Sequence, residues 1–91
     1  TNTMKILRLP EMVQKVSSMV KNQSVQSQIN NNSITISTDI WDFEFLKFEK
    51  GGYYIYESVT IKDSDMDSTY IEIKNSLMRQ LICKYGVTIC L

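Results

Sequence analysis

The stretch from Trp41 to Lys62, WDFEFLKFEKGGYYIYESVTIK, constrains this chain more than any other, because it reads as two aromatic and β-branched arms closed by Gly51 and Gly52. Paired glycines supply the positive φ of a tight β-hairpin turn, and the flanking residue types favour strands. Side chains alternate along a strand. A two-residue turn at Lys50-Gly51 or Gly51-Gly52 therefore sets Leu46 and Phe48 on the same side as Tyr53, Ile55, Val59 and Ile61. That side is expected to be the core face. The opposite side then carries Phe43, Phe45, Tyr54 and Tyr56, with Trp41 near them, where a sheet covered on one face alone would show polar residues. The expectation is an aromatic face, Trp41, Phe43, Phe45, Tyr54 and Tyr56, that something else must cover.

The rest of the chain supplies partners for the first side. Met4 to Leu9 reads as a short strand or as the lead-in to a helix whose first turn holds Pro10 and Glu11, both suited to that position. Met12, Val13, Val16, Met19 and Val20 then follow the three-and-four spacing of an amphipathic helix. Asn22 to Asn32 is rich in Asn, Gln and Ser and reads as a connector, or as a weak edge strand with a turn at Asn30-Asn31-Asn32. Ser33 to Thr38 alternates cleanly as a strand, and the change of parity after Asp39 calls for a turn or bulge. Thr69 to Lys74, TYIEIK, is expected as a strand, followed by a helix with Asn75 at its N-cap, Leu77, Met78, Leu81, Ile82 and Tyr85 on one face and Gly86 past its end. Val87 to Leu91 is apolar enough for a last strand. At 91 residues these pieces make a single domain, 1–91, of the α+β class: an antiparallel sheet of three to five strands with two helices packed on one face.

Composition narrows the function. The formal net charge is zero, which removes the electrostatic argument for nucleic acid or an anionic membrane, although Lys47, Lys50, Lys62, Lys74, Arg79 and Lys84 would have to be dispersed for this to hold locally. No RNP-type sequence accompanies the aromatic residues that could stack on bases. No apolar run is long enough to span a bilayer. There is no histidine, so every His-dependent triad is excluded and the commonest general base and metal ligand is missing. Cys83 and Cys90 lack metal-site spacing and are expected as reduced thiols of a cytoplasmic protein. The acidic run DSDMD, Asp63 to Asp67, fails as a calcium loop because Ser68 and Lys74 stand where Gly and Glu are needed. Glu44 and Glu57 interrupt apolar positions of the hairpin, where a facing acid pair could do acid–base work and two solvated carboxylates would do none. No catalytic residue, metal or cofactor is expected. Thr1 is not a start methionine, so the chain is expected to be processed or part of something longer.

The C-terminal pattern, a strand and acidic turn, Tyr70-Ile71-Glu72-Ile73, Asn75-Ser76-Leu77 and a helix ending at Tyr85-Gly86, resembles the closing strand and helix of sterol-carrier-protein-2-like (SCP2-like) domains. MKILRLPEMVQKV similarly resembles the opening strand and helix of such domains where they follow an N-acetyltransferase of the Eis type. The resemblance covers most of the chain by pattern, without a shared invariant motif. It implies an accessory domain whose sheet and helices enclose apolar material or pack on catalytic domains, and in that acetyltransferase family a terminal carboxylate, here that of Leu91, can enter the active site. This chain stops almost directly after the helix, a departure from that pattern.

The expectation from residues and resemblance together is a non-enzymatic module that binds a protein, a domain or a second copy of itself through Trp41, Phe43, Phe45, Tyr54 and Tyr56. The alternatives are a carrier of an apolar small molecule and a small enzyme using acidic residues.

Overall fold

The computed structural model describes residues 6–20, 22–48, 50–62, 68–81 and 88–91, with the side chains of 68–71 outside that description. The expected acidic turn at 63–67, and Ile82, Cys83, Tyr85 and Gly86 of the expected helix end, lie outside the described residues.

The hairpin forms where the glycines call for it. Its arms are β4 (Trp41–Phe48) and β5 (Tyr53–Ile61), with Phe48 opposite Tyr53, and Gly52 takes a φ of +66° in the turn. Nothing lies within 4 Å of where a Cβ of Gly52 would stand, so alanine there meets backbone strain alone. Gly52→Ala is expected to cost about 1–2 kcal/mol, the usual penalty of an L-residue in the left-handed region, read as a lower urea midpoint with unchanged slope.

Ser33 to Ser37 forms β3, and a turn at Asp39-Ile40 brings β4 back beside it, so that Ile34 faces Phe45 and Ile36 faces Phe43. The turn is built on Thr38. Its buried Oγ1 accepts the N–H groups of Trp41 at 2.8 Å and Ile40 at 3.2 Å, and its own N–H donates to the Trp41 carbonyl at 2.8 Å. Gln23 Oε1 also accepts from Ile40 N–H, Asp39 accepts from Ser24 N–H, and Lys62 N–H donates to the Ile40 carbonyl. One turn thus ties the loop before β2 and the end of β5 together. The weak-strand reading of 22–32 holds: Gln26–Ile29 is β2, an edge strand antiparallel to β3, and Asn30 N–H donates to the Ser33 carbonyl across the turn.

The helix read at Pro10 is α1 (Leu9–Met19), with Met12 and Val16 fully buried and Val13 and Met19 packed at the margin. Arginine offers no acceptor for the first turn, and there Glu11 Oε1 instead accepts the Arg8 N–H at 3.4 Å. Ile6–Arg8 is β1, and Thr88–Cys90 is β6, the expected last strand.

Two expectations are corrected. The sheet has six strands in the order β1-β6-β5-β4-β3-β2, and it is mixed rather than antiparallel, because β6 enters between β5, to which it is antiparallel, and β1, to which it is parallel. That slot sets Leu7, Ile89 and Tyr54 side by side. The segment TYIEIK is not a strand. Helix α2 runs Ser68–Gln80, so Asn75 lies inside it rather than capping it. Ile73 and Leu77 of the helix and Leu81 just past its end are spaced by four, and Leu77 and Leu81 are buried with Met78 beside them. The β-branched residues of TYIEIK favour a strand locally, and packing of the helical stripe overrides that preference.

Helix α1 lies along β1 and β6, and α2 along β5. Their buried residues join Ile34, Ile36, Trp41, Phe43, Phe45, Tyr54, Val59 and Ile89 in one core cluster.

Candidate functional site

The five aromatic residues expected on an uncovered face are gathered together, but inside. Trp41, Phe43, Phe45 and Tyr54 are each 5% exposed or less, and Tyr56 is half-buried with its ring edge-on to Phe45 at 5.8 Å between centroids. Burial pushes the Tyr56 phenol above its ordinary pKa, and its buried hydroxyl has no hydrogen-bond partner among the described residues. The expected outward face is therefore the core face.

A bulge accounts for the inversion. Glu44 pairs with Ser58 but Phe45 pairs with Tyr56, leaving Glu57 as an extra residue in β5. A one-residue insertion moves every later side chain to the other face. Val59 and Ile61 consequently stand opposite Phe43 and Trp41, not on the side of Leu46 and Ile55. The same bulge separates Glu44 from Glu57, so the carboxylates do not face each other as an acid pair.

On the side away from the core the sheet is divided. Toward β3 it is polar: Thr35, Ser37, Asp42, Glu44, Ser58 and Thr60 share that surface by register, with Ser37 Oγ donating to Asp42 Oδ1 at 2.6 Å and Lys62 Nζ 3.9 Å from the same oxygen. Toward the hairpin tip it is apolar. Leu46 stands opposite Ile55 and Phe48 opposite Tyr53, and the Phe48 and Tyr53 rings stack at 5.4 Å with planes 7° apart. Leu46 and Phe48 are each 41% exposed, while Tyr53 and Ile55 are half-buried. A Cβ on Gly51 would run into the Tyr53 ring, so this glycine makes room for the stack. At the boundary between the two halves lies Glu44, partly buried, its carboxylate with no ion-pair or hydrogen-bond partner among the described residues.

Leu46, Phe48, Tyr53 and Ile55 were legible as one set from the hairpin, since they are the near-turn residues of the side first read as core. Their exposure was not. Among the described residues no three His, Cys, Asp or Glu side chains are grouped to hold a metal ion, and no helix is long and apolar enough to cross a membrane. Compared with protein-family models, with curated proteins and with solved structures, the chain matches none.

Proposed function

We propose that this is a non-enzymatic binding module of the cytoplasm whose docking face is the apolar end of the outer sheet surface, Leu46, Phe48, Tyr53 and Ile55. The occupant is a folded protein surface with an apolar centre and a lysine or arginine at its rim. The observation that carries this reading is the stacked, solvent-facing Phe48–Tyr53 pair beside exposed Leu46. Aromatic anchors in a rigid sheet lose little side-chain freedom on binding, and such residues dominate interface energetics. Charge gives the partner its rim: partly buried Glu44 adjoins the block with no cation of its own among the described residues.

The test places a photo-crosslinking amino acid at Phe48 and, as a control on the polar half, at Thr60. A protein captured only from Phe48 is then purified and titrated against the chain. Leu46→Asp with Phe48→Asp should weaken that complex at least about 100-fold, the scale of a lost hot spot, with the circular dichroism spectrum unchanged. Binding unaffected by the pair of substitutions would overturn the reading. So would co-purified lipid released by the same substitutions, which would make the domain a carrier of apolar small molecules.

A further inference from the structure

We propose that the free edge of β2 joins β2 of a second copy of this chain, antiparallel about a twofold axis at Ser27, so that two sheets become one continuous sheet.

The hydrogen-bond phase of β2 sets the register. Asn30 N–H donates to the Ser33 carbonyl at 2.8 Å, which makes Asn30 and Ser33 a hydrogen-bonded pair. Such pairs alternate along an antiparallel ladder. Gln28 with Thr35 and Gln26 with Ser37 are therefore also bonded pairs, and β2 meets β3 without a register break. The N–H and C=O groups of Ser27 and Ile29, and of Val25 by continuation, point away from β3 toward the free edge. These three positions form a palindrome. With Ser27 opposite Ser27 of the second copy, Val25 stands opposite Ile29 at both ends, and every outward group finds a partner.

Side chains agree with that register. Ser27 and Ile29 lie on the core side of the sheet, opposite Ile36 and Ile34, and Val25 packs at the core margin. Ile29 is 55% exposed, close to the highest value among the large apolar residues described, and the twofold pairing places it beside Val25 of the other copy. On the far side Gln26 meets Gln28, two amides that can donate and accept in turn. The devices that usually blunt an edge are missing: Gln26–Ile29 contains no lysine, no proline and no bulge, and the eleven residues from Asn22 to Asn32 are all uncharged. Nor does the preceding loop fold over the edge, since Gln23 and Ser24 are bonded to Ile40 and Asp39 on the β3 side.

The inference uses residues remote from Leu46 and Phe48, so it stands or falls separately from the docking face. Sedimentation equilibrium up to about 1 mM, the range suited to a contact at the small end of interface sizes, should show a monomer–dimer equilibrium. Ser27→Pro removes an N–H that is not bonded to β3 and has no partner among the described residues, and Ser27→Lys sets two like charges on the axis. Either should lower the dimer association constant at least about tenfold with the fold retained by circular dichroism, as expected for lost strand pairing between like charges or without a donor. In a Cys83→Ser/Cys90→Ser background, Ser27→Cys should oxidise to a covalent dimer, because the paired Cα atoms stand about 5.5 Å apart. Gln28→Cys should not, its twins being separated by more than the roughly 7 Å a disulfide spans. A parent that stays monomeric, a dimer that survives both Ser27 substitutions, or cross-linking through Gln28 in place of Ser27 would each overturn the inference.

Discussion

Replacing Phe43 by alanine is expected to cost about 3–5 kcal/mol, while Phe48→Ala costs about 1 kcal/mol. Both are phenylalanines of β4 and they differ in side. Phe43 is fully buried, wedged between Ile36 on one neighbouring strand and Val59 on the other, so truncation removes transfer energy and leaves a cavity in the core. Phe48 loses its stack with Tyr53 and an already half-wet surface. A domain of this size holds roughly 5–10 kcal/mol in all, so Phe43→Ala should leave a substantial unfolded population at 37 °C and Phe48→Ala should not. Urea unfolding followed by circular dichroism decides it. If Phe48→Ala proved the more damaging of the two, the core would be on the other side of the hairpin.

Thr38→Val is expected to cost about 2 kcal/mol, and Thr38→Ser well under 1 kcal/mol. Valine keeps the volume of threonine at a site that is 2% exposed, so packing changes little and the loss reports the hydroxyl. That hydroxyl accepts two backbone N–H groups, from Ile40 and Trp41. Ile40 N–H keeps Gln23 Oε1 as an acceptor, which limits the cost on that side. Serine retains the oxygen and restores the turn. Because the turn fixes which residues of β3 face which residues of β4, Thr38→Val should also raise amide exchange at Ile34 and Ile36 more than at Tyr54. Equal urea midpoints for the valine and serine variants would show that Oγ1 carries no such load.

Most elements were legible because their signals are local. Gly51 and Gly52 mark the hairpin, alternation marks β3, Pro10 with the Met12–Val16–Met19 spacing marks α1, and the apolar tail marks β6. The facing of the hairpin was not, because two signals disagreed. From β5, Ile55, Val59 and Ile61 look like one face with Leu46, but that reading assumes unbroken alternation through Glu57, and an unpaired residue in a strand leaves no compositional mark. From β3, a two-residue turn at Asp39-Ile40 sets Ile34 and Ile36 against Phe45 and Phe43, and this pairing does hold. Each turn fixes which residues pair close to it, and the bulge at Glu57 breaks the relation between the two ends of β5. Helix α2 failed for a different reason: TYIEIK satisfies both periods, and only its continuity with Leu77 and Leu81 separates them.

The position of β6 bears on how the molecule comes into being. Among the described strands β1 is hydrogen-bonded to β6 alone, Ile6 beside Thr88 and Arg8 beside Cys90. Pairing β1 with β6 joins Ile6 to Thr88 and so closes a loop over most of the chain, whereas each pairing from β2 to β5 joins strands that follow one another in sequence. Of the pairings in this sheet the parallel one therefore carries the largest loop-closure entropy, and it raises the contact order of a domain that is otherwise a local meander.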